Sequence, residues 1–482
     1  MPASKFKSKP KKGGVNHLKA AFKTTEAYEN AKMELQLSQY KAFDDIIEFF
    51  DTKNKTNKLM LLSGSAGTGK TYLSGRVADY LKEAYFCNIL LCAPTNKAVK
   101  VLKKTQHIKS TIDFMTIHAA LGLQEMIDDD GNEVFRNQKV ESIKITNYDY
   151  VILDEASMID DELFHMLLRS ISDQYIKVLF VGDKIQIPPV NHPESMVFKE
   201  STKTEFNIKE VELIAIIRQH HGNPIISLAN KIKADLKNPK IISELTCMPE
   251  FQNIPQVTFM PKEKDALVSV LRTYFLTEDF DMDADYCKVL AWTNKSVNKF
   301  NALIRKMKYG KDAEQLVIGE KLIFDRPWML LRKMQYGTND EITVRGFIDG
   351  ELDIFDKTFE YYDAMVSREG SDVVELINVP ILKNKCYPDY LAVKKYLIDQ
   401  AYLYPKGSPE FKGWFATWYT FRDKFAAIKY NYAISVHKSQ GSTYTNAIVA
   451  NYDINQNTNL IERNRIKYTA VTRPKEKLYI IV

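Results

Sequence analysis

The fold turns on the stretch Leu59-Met60-Leu61-Leu62-Ser63-Gly64-Ser65-Ala66-Gly67-Thr68-Gly69-Lys70-Thr71. An aliphatic run of strand length ends in a glycine-rich turn, and residues 72–85 then read as a helix. In that order the glycines let backbone N–H groups curl around a phosphate, Lys70 reaches its β and γ oxygens, and Thr71 offers a hydroxyl to Mg²⁺. Gly64, Ser65, Ala66, Gly67, Thr68, Gly69, Lys70 and Thr71 are therefore expected to bind a nucleotide, with ATP and Mg²⁺ as the cofactors.

The same rhythm runs outward from this loop. Aliphatic runs at 59–62, 89–93, 151–153 and 178–181 alternate with longer helical stretches, the pattern of buried strands in a parallel sheet. It returns at 289–291, 433–436, 447–450 and 478–482, which predicts a second α/β domain interrupted by an insertion. The run 151–153 ends in Asp154-Glu155. There one carboxylate can hold the metal, and the next can orient or deprotonate the attacking water. Such a pair is ordinarily a solvated surface; at the carboxyl end of a strand downstream of a phosphate loop it reads as catalytic. The next run ends at Gly182-Asp183, with the Gln186 amide placed where it could sense a γ-phosphate. Lys70, Glu155 and Gln186 are the catalytic candidates, with Thr71 and Asp154 as metal ligands.

The 482 residues are 45% hydrophobic and carry a formal charge of +6, which suits several cores and a polyanionic partner without requiring one. The 5 cysteines are odd in number and lack paired spacing, so neither a disulfide framework nor a zinc site is indicated. No apolar run reaches the ~20 residues that span a bilayer. No membrane association and a cytoplasmic location are expected.

Residues 1–25 hold seven lysines and no acid, so 1–34 is expected to be a basic, disordered tail. It is either a solvated end or an arm on phosphates. Asp128-Asp129-Asp130-Gly131-Asn132 is a tight-turn signal between strand-tolerant flanks, which predicts a hairpin over about 122–145. The stretch 312–425, rich in β-branched and aromatic residues and then helical, reads as a β-rich inserted module with a helical arm.

A resemblance joins these features. Gln39, the phosphate loop, Ala93-Pro94-Thr95-Asn96-Lys97-Ala98, Thr116-Ile117-His118, Asp154-Glu155-Ala156-Ser157 and Gly182-Asp183-Lys184-Ile185-Gln186 come first. Arg218-Gln219, Val436-His437-Lys438-Ser439-Gln440-Gly441-Ser442-Thr443 and Tyr468-Thr469-Ala470-Val471-Thr472-Arg473 follow. The order resembles superfamily 1 helicases of the RecD-like, 5′→3′ branch from about residue 35 to the end. The resemblance implies an α/β fold of two RecA-like P-loop domains with parallel sheets. The first would span 35–215 and carry the hairpin. The second would span 216–311 and 426–482, with 312–425 as an SH3-like insertion. It implies ATP-driven movement on single-stranded DNA, separation of forked duplex DNA, function as a monomer and work beside replication or recombination proteins.

The resemblance also implies roles. Gln39 would read adenine's edge, for which an amide supplies donor and acceptor on one group. Gly441 would lie at the nucleotide, and Arg218 and Arg473 would approach its γ-phosphate from the second domain. Pro94, Thr95, Thr116, His118, His437, Ser439 and Thr443 would hold single strands, although each could equally cap or pack. Phe135 would stack on a base at the fork or pack the hairpin inward. Trp414 and Trp418, spaced i, i+4, form either a core stripe or a strand-facing pair. RNA as the track, and a different P-loop ATPase, remain open on the residues alone.

Overall fold

A computed structural model describes residues 20–51, 57–105, 111–127, 133–137, 143–215, 223–236, 256–330, 333–369 and 375–482. In chain order β1 (Leu59–Gly64), β2 (Ile89–Ala93) and β3 (Asp113–Thr116) precede a hairpin of β4 (Leu123–Ile127) and β5 (Glu133–Asn137). Strands β6 (Tyr150–Leu153), β7 (Lys177–Gly182) and β8 (Lys209–Leu213) follow. All but the hairpin join one parallel sheet in the order β3-β2-β6-β7-β1-β8. Its centre is aliphatic on both faces. Leu61, Leu62, Leu90, Leu91, Val151 and Val181 are fully buried, each side chain contributing roughly 1.5 to 3 kcal/mol.

Strand order positions the site. The carboxyl ends of β1, β7 and β6 lie side by side, with Ser63 opposite Gly182 and Leu153 opposite Phe180. The phosphate loop, Asp183 and Asp154-Glu155 are thereby brought together from distant parts of the chain.

The second sheet is built from β9 (Val257–Met260), β10 (Cys287–Ala291) and three later strands. Between them lie β11 (Lys321–Phe324), β12 (Trp328–Leu330), β13 (Lys333–Tyr336), β14 (Glu341–Ile354), β15 (Lys357–Arg368), β16 (Leu376–Leu382) and β17 (Ile428–Tyr430). With β18 (Ala433–Ser435), β19 (Tyr444–Ala450) and β20 (Pro474–Ile481) the sheet has the order β18-β10-β19-β20-β9, parallel throughout. The chain thus has two RecA-like domains. The insertion forms an antiparallel sheet, β16-β15-β14-β11-β17, with β12 and β13 paired beside it. Helices Tyr387–Ala401 and Pro409–Arg422 make its arm.

Two boundaries differ from expectation. Residues Ala20–Met33, assigned to a disordered tail, form a helix. Tyr28 and Lys32 on it bond Asp44, and Ala27 is buried, so acids and apolar surface on the first domain supply what the tail composition lacks. Ile428–Tyr430, placed in the second domain, pairs instead with β11 in the inserted sheet.

Candidate functional site

Helix Lys70–Tyr85 starts where the loop ends. Gly69 caps it at φ 79° and ψ 22°, a left-handed conformation that any Cβ would strain, so glycine is what tightens the turn. Lys70 Nζ donates to the carbonyls of Gly64 at 2.7 Å and Ser65 at 3.0 Å, folded across the mouth of the loop. Thr71 Oγ1 donates to Asp154 Oδ2 at 3.0 Å, while Asp154 Oδ1 accepts from the Glu155 N–H at 2.8 Å. A hydroxyl and a carboxylate this close are hard oxygen donors of the kind Mg²⁺ takes, with further positions filled by phosphate and water. Among the described residues no group of three His, Cys, Asp or Glu could hold a metal by itself. The donor set therefore fits an ion shared with a nucleotide.

Glu155 sits in a left-handed backbone conformation, φ 55°, costing about 1 to 3 kcal/mol for a non-glycine residue. Its carboxyl is pushed up to about 7, by burial first and then by the charge of Asp154, against the pull of Arg473 and Lys70. Burial also raises Asp154. A carboxyl held near neutrality suits a general base. Gln186 is buried, and its Oε1 meets no partner among the described residues, which leaves an acceptor for a ligand or water. Gln39 is 1% exposed; its Nε2 donates to Gly69 O at 3.3 Å and its Oε1 accepts from Gln36 N at 3.2 Å, tying it to the loop.

The second domain closes on this site. Gly441, at φ 69°, packs so tightly that a Cβ there would lie 2.7 Å from Ala98 Cβ and 3.6 Å from Glu155 Cγ. Arg473 is buried, with Nε on Thr469 O at 2.9 Å and Nη1 on Ser442 O at 3.2 Å. The Tyr468 hydroxyl meets Ala66 N in the loop, and Lys233 Nζ meets Ser65 Oγ. A cavity of about 170 Å³ remains in the seam, lined in part by Ala66, Gly67, Thr443, Tyr468 and Thr472.

The strand candidates divide by what their hydroxyl protons do. Thr95 Oγ1 accepts from Ala98 N and Thr116 Oγ1 from Ala119 N, each at 3.2 Å. Capping uses the oxygen lone pair and leaves the proton for a phosphate oxygen. Ser439 differs: fully buried, it donates to Val436 O at 2.7 Å, so its hydroxyl holds its own loop. His118 and His437 are half-buried, and burial lowers both from the usual histidine value, which favours the neutral ring. Pro94 and Thr443 are half-buried at the same domain tops.

Of the two readings for the tryptophans, the packing fits the core stripe: Trp418 is buried among Leu397, Phe421 and Phe425, and Trp414 is half-buried in the same arm core. Helical spacing had favoured this stripe. Hairpin register sets Phe135 opposite Glu125. Arg218, Gln219 and the hairpin tip at 128–132 lie outside the described residues.

Sequence reading missed a repeat. Ala93-Pro94-Thr95-Asn96-Lys97 after β2 recurs as Ala291-Trp292-Thr293-Asn294-Lys295 after β10, and each run opens a helix. The recurrence of Thr-Asn-Lys was the available signal. It also missed a buried cluster in which Lys97 Nζ meets Asp285 Oδ1 and Glu341 Oε1, both at 2.8 Å, with Lys288 and Asn431 beside them. These residues come from both RecA-like domains and the insertion, so no local pattern marks them.

Residues 35–245 match the family model described as an AAA domain, and 430–481 match the UvrD-like helicase C-terminal domain. With a nucleotide site split between two RecA-like domains, these matches define the chain as an ATP-hydrolysing superfamily 1 helicase. Its relatives include RecD, RecD2 and PIF1 helicases. The ATP-dependent DNA helicase dda of Enterobacteria phage T4 is 27% identical over 91% of this chain and 100% of its own. The uncharacterized protein R530 of Acanthamoeba polyphaga mimivirus is 26% identical over 91% and 97%. The ATP-dependent RecD2 DNA helicase of Deinococcus radiodurans is 33% identical over 36% of this chain and 21% of its own. Among solved structures, Pif1 helicase from Candida albicans superposes with TM-score 0.47 at 16% identity, covering 93% of this chain and 94% of that one.

Proposed function

We propose that this protein moves 5′→3′ along single-stranded DNA and separates forked duplex DNA, using Mg²⁺-ATP. One observation carries the reading: Glu155, a carboxyl pushed up to about 7, lies under Gly441 of the second domain and within the field of Arg473. Hydrolysis then depends on how the two domains meet, which is what couples chemistry to movement.

In this reading Thr71 and Asp154 would hold Mg²⁺, which would supply positive charge to the phosphates. Lys70 leaves the Gly64 and Ser65 carbonyls for phosphate oxygens, Glu155 takes the proton of the attacking water, and Gln186 orients that water. Arg473 and Arg218 spread the developing charge as planar, permanently charged forks. Gln39 faces the base. The free hydroxyl protons of Thr95 and Thr116 hold the strand beside Pro94, His118, His437 and Thr443, and Phe135 works at the fork. Both halves of the site lie on one chain, which supports function as a monomer. The four described cysteines are free and buried, in keeping with a reducing cytoplasm, and no described helix is long and apolar enough to cross a membrane.

The test is strand separation with ATP on DNA forks carrying either a 5′ or a 3′ single-stranded tail. Opening only with the 5′ tail is expected. Efficient opening from a 3′ tail alone would reverse the polarity, and opening of RNA but not DNA would change the track.

A further inference from the structure

We propose that Tyr468 is a positioning residue for hydrolysis, its phenol joining the phosphate loop and the carboxyl end of β7 to the helix that leads into the second domain's arginine. This rests on the helicase reading above and extends it. Tyr468 lies in the last turn of helix Leu460–Val471, Arg473 follows two residues beyond the helix end, and the Tyr468 side chain is 1% exposed. Its oxygen accepts from the Ala66 N–H at 3.0 Å, and its proton goes to Asp183 Oδ2 at 2.8 Å. Asp183 Oδ1 accepts in turn from the Ile185 N–H at 3.0 Å, the residue before Gln186. A little further on, Gln440 Nε2 donates to Ile187 O at 2.8 Å. The second domain therefore grips the segment bearing Gln186 at two points, and one of them also holds a loop amide.

The consequence is geometric. A shift of the helix that moves Arg473 relative to the nucleotide also strains the phenol bridge, so loop, Gln186 and arginine change place together. Tyr468→Phe keeps the ring and the packing but removes the bridge. A residue of purely structural value would alter melting and leave the ratio of kinetic constants alone, whereas a positioning residue alters turnover of bound ATP.

Steady-state hydrolysis is measured against ATP concentration, with and without single-stranded DNA, for the wild type, Tyr468→Phe, Asp183→Asn and the double variant, with melting temperatures alongside. Tyr468→Phe is expected to lower strand-stimulated kcat about tenfold while KM for ATP moves less than about twofold. The double variant should be no worse than the more damaging single change, because both remove one bridge. A Tyr468→Phe enzyme with kcat within about twofold of wild type, or strictly additive losses, overturns the assignment. If Tyr468→Phe fails to fold, Asp183→Asn alone must show the same kcat loss at unchanged KM, and an unchanged kcat there overturns it equally. Wild-type hydrolysis indifferent to single strands would instead overturn the helicase reading, so the two failures are told apart.

Discussion

Ala93-Pro94-Thr95-Asn96-Lys97 in the first RecA-like domain and Ala291-Trp292-Thr293-Asn294-Lys295 in the second stand at the carboxyl ends of corresponding strands, and both threonines accept from a helix-start amide at 3.2 Å. Their partners are reversed. Thr293 gives its proton to Asp453 Oδ1 at 2.8 Å, and Asp453 also takes the N–H groups of Trp292 and Thr293 and the Ser296 hydroxyl. Among the described residues nothing takes the Thr95 proton. Lys97 is buried between Asp285 and Glu341, whereas Lys295 is exposed. One short sequence thus serves as an open contact with an anchored base in one domain and as a clamped turn in the other. The wider division follows the same line: the first domain holds the phosphate loop and carboxylates, and the second supplies Arg473 and Gly441 across the seam.

That division can be broken by substitution. The largest effect is expected at Arg473→Ala, with ATP turnover falling about 10³-fold or more while nucleotide still binds, since only transition-state charge is left unspread. Single-turnover hydrolysis and equilibrium nucleotide binding separate the two. Glu155→Gln in the first domain should lower turnover by about 10²- to 10⁴-fold with ATP still bound, because Thr71 and Asp154 are intact; near-normal turnover would remove its role as base. Lys97→Ala should destabilise by about 3 kcal/mol by taking the nearest cation from buried Glu341 and half-buried Asp285, whereas Lys295→Ala should lie within about 0.5 kcal/mol of wild type. Equal melting temperatures for the two variants would erase the contrast.

The pH dependence comes next in size. Glu155 must be ionised to accept a proton, and its carboxyl is raised to about 7. Turnover should therefore fall about tenfold per unit as pH drops below that value. The sign for stability is opposite: a folded carboxyl above its unfolded value favours the protonated fold, so this group's contribution is present in acid and lost as pH rises through about 7. The smallest effect separates the threonines. Thr95→Ala and Thr293→Ala should each cost about 1 kcal/mol of stability through the lost cap, but only Thr95→Ala should also weaken single-strand binding. Equal weakening by both would give the second turn a strand contact as well.

How much of this was legible follows from where the signal resides. The phosphate loop and Asp154-Glu155 are contiguous, and buried central strands such as Ile89–Ala93 and Lys177–Gly182 advertise themselves as aliphatic runs. Edge strands do not. Asp113–Thr116 and Lys209–Leu213 each have one neighbour and mostly accessible residues, so their composition is mixed and they read as linkers. Helix Ala20–Met33 was hidden because its partners lie on other segments, with Tyr28 meeting Phe43 and Tyr80. Trp418 and Ser439 kept two readings for the converse reason: a motif names a residue, but only packing decides which way its polar atoms face. The motif gives Tyr468 no role, since its two hydrogen bonds join residues hundreds of positions away.

The cluster around Lys97 has a mechanical meaning. An ammonium group attracts carboxylates with little directional demand, so the bodies it joins can turn about it by several degrees and keep their ion pairs. Pulling them apart leaves charge unpaired in a poorly solvated place, which costs several kcal/mol. Lys97, Asp285 and Glu341 therefore act as a ball joint among three bodies, permitting rotation and resisting separation. Salt does little to loosen such a joint, because buried pairs are screened far less than exposed ones. Ionic strength that strips a strand from the surface leaves the pivot in place.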